Sequence, residues 1–180
     1  MHSRRVLCLA ALSALFARAH AQPAATTAAA VKAAFLYKFP SFVDWPPGVF
    51  QRPNQPLVIG VVGDDTLAAD LEQMVAGRTT DGRAVTVHRV ADAASAAGVH
   101  VLYIARRSDA RLQDFIAAVP GPVLIVTEQP GALQLGSVLN FAEDGSRMRF
   151  SASLVSAASR KLKLSARLLA VAESVEGHNS

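Results

Sequence analysis

Val31, Phe35, Phe39 and Phe42 recur at spacings of four, four and three, which places them on one stripe of a helix. Thr26 or Thr27 supplies the cap at its start. Pro40 falls inside the pattern and kinks the helix or ends it a turn early, and Trp45-Pro-Pro-Gly48 stops it. The pattern then changes period. Pro56 to Val62, Ala84 to Val90, Val99 to Ile104 and Pro122 to Thr127 are apolar or alternating runs of strand length. Between them, Thr66 to Ala76, a short piece over Ala91 to Ala97, and Ser108 to Val119 read as helical. Strands alternate with helices, and several strands are continuously apolar, as expected when both faces of a parallel sheet are covered.

The last third departs from this alternation. Gly136 to Ala142 and Ser146 to Ser151 flank Glu143-Asp144-Gly145, the signature of a hairpin turn. Two short helices, Ser153 to Ser159 and Ser165 to Ala172, bracket Leu162-Lys163-Leu164. The expected class is therefore α/β. It has a mostly parallel sheet of about six strands, Rossmann- or flavodoxin-like, with a C-terminal hairpin and helices on both faces.

Composition matters first at the N-terminus. Arg4 and Arg5 precede an apolar stretch from Val6 to Phe16, and Ala19-His20-Ala21 has the small residues a signal peptidase reads. Residues 1–21 are read as a cleaved secretory signal, 22–27 as a leader, 28–175 as one domain and 176–180 as a tail. Removing Arg4, Arg5 and Arg18 leaves 15 of the 18 basic residues against 14 acidic ones, a formal charge of about +1. The apparent basicity belongs to the export segment, so nothing favours a nucleic-acid partner. The single cysteine, Cys8, leaves with it, and the mature chain has no thiol or disulfide chemistry. No second apolar run is long enough to span a bilayer. The expectation is an exported periplasmic domain.

Candidate chemistry is sparse. Ligands in open α/β sheets bind beyond the carboxyl ends of strands, which points to Asp64 and Asp65 after the first strand. In a flavodoxin-like strand order, Arg106 and Arg107 after the third strand flank the same crevice. This acidic pair facing a basic pair suits a small zwitterionic or phosphorylated ligand, while capping and solvated ion pairs are the plainer reading of the same residues. One glycine at this turn is too few for a dinucleotide fingerprint. No Gly-x-Ser-x-Gly elbow occurs. His88, His100 and His178 lack metal-site spacing, and His100 reads as a hydrogen-bonded structural residue. No catalytic residue, cofactor or metal is assigned.

The aromatic segment poses a separate question. The Phe35–Phe39–Phe42 stripe is expected to pack the first helix on the sheet. Leu36, Tyr37, Val43 and Trp45 point elsewhere, so the helix needs a second cover, from the C-terminal helices or another chain. Tyr37, Phe39 and Trp45 are the candidate partner-binding residues.

Several segments carry a family resemblance. They are Ala33-Ala-Phe-Leu-Tyr-Lys-Phe39 leading to Phe42-Val-Asp-Trp-Pro46, then Leu57 to Gly63, His100 to Ile104 and Val123 to Thr127. The hairpin residues Val138 to Phe141 and Met148 to Phe150, and the ending Leu162 to Ala172, complete the series. In this the chain resembles the YfiR family over nearly its whole mature length. The resemblance implies a small periplasmic α/β protein without catalysis, which restrains an inner-membrane diguanylate cyclase by binding its periplasmic sensory portion. Cyclic-di-GMP output and biofilm formation would depend on that binding, and self-association as a homodimer is implied as possible for members. Members often carry Cys where this chain has Val99, and the usual Gly before the final Leu-Lys is Lys161 here. Control through disulfides is therefore closed to this chain. The alternative function is small-ligand binding in the strand-end crevice.

Overall fold

A computed structural model of the chain describes residues 27–144 and 147–177. The expected signal sequence and almost all of the leader fall outside the described residues, as do Gly145, Ser146 and the last three residues of the tail. Helix α1 (Ala28–Lys38) is capped by Thr27, whose hydroxyl accepts from the Ala30 amide at 3.1 Å. Pro40 ends it, and the chain tightens into a 3-10 turn, Phe39–Phe42, before the two-residue strand β1 (Val43–Asp44).

The central unit follows as β2 (Leu57–Val62), α2 (Asp65–Val75), β3 (Thr79–Thr80), β4 (Arg83–Arg89), β5 (Val101–Ile104), α3 (Asp109–Ala118), β6 (Leu124–Thr127) and β7 (Leu139–Asp144). β8 (Arg147–Ser153), α4 (Leu154–Ser159), β9 (Lys163–Leu164), α5 (Ala166–Val171) and β10 (Ser174–Glu176) complete it. The main sheet has eight strands in the order β10-β8-β7-β6-β5-β2-β4-β3. Strands β4-β2-β5-β6-β7 run parallel in the flavodoxin order, and β8 and β3 are antiparallel to their neighbours β7 and β4. Right-handed crossovers leave the β2–β5 pair in opposite directions, so α2 and α3 cover opposite faces.

The expectation of about six strands is too low, because two short edge strands carry almost no hydrophobic signal. One is Thr79–Thr80, joined to β4 through Asp81 and Gly82, both at positive φ (50° and 76°). The other is Ser174–Glu176, which pairs in parallel with β8 and carries the sheet one residue past the expected domain end at 175. Brief edges of this kind limit edge-to-edge association.

The inner strands are apolar because both faces are covered. All four residues of β5 and of β6 are buried, and Ile59, Leu102 and Ile125 are fully enclosed. Gly60 is required by packing: a Cβ there would lie 2.8 Å from Leu102 and 3.0 Å from both Val90 and Val99.

The first helix turns differently from the expected stripe. Its buried residues are Ala33 and Leu36, both 0% exposed, and it packs along α2. Leu36, expected to point away from the core, is inside it. Phe35 sits beside β7 and β8, with its ring 5.9 Å from Phe141 and 5.8 Å from Phe150, but its outer side stays open. Phe39 closes the cluster, stacked on Phe141 at 5.8 Å and edge-on to Phe150 at 5.1 Å.

Candidate functional site

Two features could carry function, and α1 contributes to both. The first is an apolar groove of about 310 Å³ between α1, β8 and α5. Its existence follows from chain length. β1 pairs with β9, Val43 against Leu164, and the Ser165 amide donates to the Phe42 carbonyl at 2.9 Å, so α5 is clipped beside the end of α1. At 1.5 Å per residue, α5 is about 9 Å long and α1 about 16 Å. Leu168 is buried under this contact, whereas Val31, Ala34 and Phe35 further back along α1 are left without a full cover. Val171 at the end of α5 is 70% exposed. Val31, Phe35, Phe150 and Val171 also line an adjoining hollow with Arg147 and Arg149, and Lys38 stands at the groove's other end. The surface is thus carbon-lined with a basic border.

The second feature is a polar cavity of about 620 Å³ beyond the carboxyl ends of β5 and β6. Lys32 of α1, Arg106 after β5, Glu128 after β6, Asn140 on β7 and Glu143 near the hairpin turn supply its polar groups. Lys32 and Glu128 form an ion pair with little solvent access. Gln129 ties the surrounding loops together. Its Oε1 accepts from the Arg107 amide at 3.0 Å, its Nε2 donates to Asp109 at 2.8 Å, and its amide donates to Asn140 Oδ1 at 3.1 Å.

The residues picked out from the sequence do not share one site. Asp64 caps α2, accepting from the Leu67 amide at 2.9 Å, and Asp65 is an exposed partner of Arg89 at 3.5 Å. Arg107 crosses the β2–β5 switch point. A Cβ on Gly63 would come within 3.9 Å of its Nη2, and its guanidinium lies 4.9 Å over the Phe115 ring. Burial, and secondarily Arg111, lower the Arg107 pKa from its ordinary value. Arg106 alone of these four lines the polar cavity.

The three aromatic candidates separate as well. Phe39, 1% exposed, packs in the core and is among the residues that line the apolar groove. Tyr37 is half-buried, with its hydroxyl donating to the Thr79 carbonyl at 2.9 Å and with Lys38 and Arg78 about its ring. Trp45, also half-buried, packs edge-on to Phe50 and His100 at 6.1 Å each. Phe50 stacks on His100 at 4.6 Å, and Arg83 covers its ring at 4.0 Å. His100 Nδ1 accepts from the Val58 amide at 3.0 Å, the structural role expected of it.

Sequence reasoning missed Lys32, Glu128 and Asn140. The strand-end rule that selected Arg106 applies equally to Glu128, which directly follows β6. Asn140, a poor strand former between Leu139 and Phe141, was a signal of a polar requirement on that strand.

The strand order and the open groove together define a flavodoxin-ordered α/β domain with an exposed apolar surface. Residues 29–173 match the YfiR/HmsC-like family model (DUF4154), and the chain belongs to that family. The family is one of periplasmic regulators in a diguanylate cyclase pathway, known for regulation and not catalysis. A search of curated proteins found no match. Among the described residues, no helix is long and apolar enough to cross a membrane.

Proposed function

We propose that this chain is a non-enzymatic periplasmic regulator that binds the periplasmic sensory part of an inner-membrane diguanylate cyclase. Bound, it restrains the cyclase and so lowers cyclic-di-GMP and biofilm formation. The observation that carries this reading is the groove between α1 and α5, a continuous apolar surface ending in the 70% exposed Val171. A solvent-exposed apolar surface of this kind marks an interaction site. The basic border of Lys38 and Arg147, with Arg149 paired to Asp144 at 3.4 Å, favours a partner segment with an apolar face and acidic flanks.

Deleting the gene tests the pathway: cyclic-di-GMP should rise, and complementation with the wild-type chain should restore it. An unchanged level on deletion refutes the regulatory reading. A second copy of the chain is the competing occupant of the groove. Sedimentation of the isolated protein decides this point, because a dimer that Val171→Asp converts to monomer assigns the groove to self-association.

A further inference from the structure

The polar cavity shares no lining residue with the groove and holds unused donors on two of its side chains. Lys32 and Glu128 neutralise one another. Asn140 Oδ1 already accepts twice, from Thr127 Oγ1 at 2.7 Å and from the Gln129 amide at 3.1 Å. The amide donor fixes the orientation of the Asn140 side chain, leaving Nδ2 as a donor with no protein acceptor among the described residues. Arg106 is exposed and makes no hydrogen bond or ion pair among the described residues.

The free donors of Arg106 and Asn140 Nδ2 suit a ligand that brings oxygen acceptors. A guanidinium fork matches a carboxylate in two parallel hydrogen bonds. Glu143, exposed on the hairpin, places a negative charge on the wall and disfavours a second negative charge on the ligand. Pro130, Phe141 and Met148 provide the apolar part of the lining. The volume of about 620 Å³ lies in the range of small-molecule sites.

We propose that this cavity binds a small monocarboxylate with an apolar tail, its carboxylate held by Arg106 and Asn140 Nδ2 and its tail against Pro130, Phe141 and Met148. The site is independent of the partner-binding reading and stands or falls on its own measurement. Titrating the purified protein with butyrate and with phenylacetate, against succinate and inorganic phosphate, tests it by calorimetry and by the Asn140 side-chain amide resonances. At least one monocarboxylate should saturate with a dissociation constant of about 1 mM or tighter and shift the Asn140 amide. Arg106→Gln, a change at an exposed position, should weaken it by about tenfold or more. Glu143→Gln should improve succinate binding. The proposal is overturned if neither monocarboxylate saturates, if Arg106→Gln leaves binding unchanged, or if phosphate binds the wild type as tightly as the monocarboxylates do.

Discussion

Lys161 holds a left-handed backbone, φ +58°, at the end of α4. The Leu162 amide donates to the Ala157 carbonyl and the Lys161 amide to the Ala158 carbonyl, both at 2.9 Å, which is the Schellman pattern with lysine at the position that favours glycine. A lysine in this conformation has a conformational cost. Lys161→Gly should stabilise the fold by about 0.5–1 kcal/mol, less than the left-handed penalty because glycine also loses more entropy on folding. A denaturant midpoint that moves up at constant slope confirms it. His100 offers a second test. Burial, with a smaller contribution from Arg83, lowers its pKa, so the folded state favours the neutral ring that accepts from Val58. With the folded pKa below the unfolded value, stability is full above about pH 6.5 and falls as pH drops below it. Unfolding free energy measured between pH 7 and pH 5 should show this slope, and His100→Gln should flatten it. Trp45, the chain's one tryptophan, packs against His100 and serves as the fluorescence reporter.

At the scale of elements, the two faces of α1 have different tasks. Leu36 is fully enclosed, and Leu36→Ala should cost about 2–5 kcal/mol. Val31→Asp, on the groove side, should cost far less while altering the surface a partner meets. Gly60→Ala should destabilise by about 1–3 kcal/mol, because the new methyl group meets three side chains of neighbouring strand segments. Thermal unfolding of the three variants ranks them. The helix itself was legible from its apolar spacing, but its rotation about the axis was not. Ala33, Leu36, Phe35 and Val31 make it apolar on nearly every side, so the pattern carries no single preferred face. What chose the inward face was tertiary: α2 takes Leu36, and α5 is too short to cover Val31.

At the scale of the molecule, the parallel core was legible because its strands are buried on both sides and read as unbroken apolar runs. The edges were not, although Asp81-Gly82 was a hairpin signal in plain view. Ser174–Glu176 has no such mark. The candidate ligand residues were chosen by the strand-end rule, which reached Arg106 on the cavity wall but could not foresee that Asp64 would cap α2 or that Arg107 would cover Gly63. Both outcomes depend on side-chain direction, which spacing does not encode. The central claim is that the groove between α1 and α5 receives the periplasmic part of a diguanylate cyclase. The direct measurement is the affinity of that periplasmic part for the wild-type chain and for Val171→Asp, with the folding stability of both recorded. The account predicts saturable binding to wild type, weakened about tenfold or more in Val171→Asp at near-equal stability. Equal affinity of the two chains, or no binding to either, would contradict it.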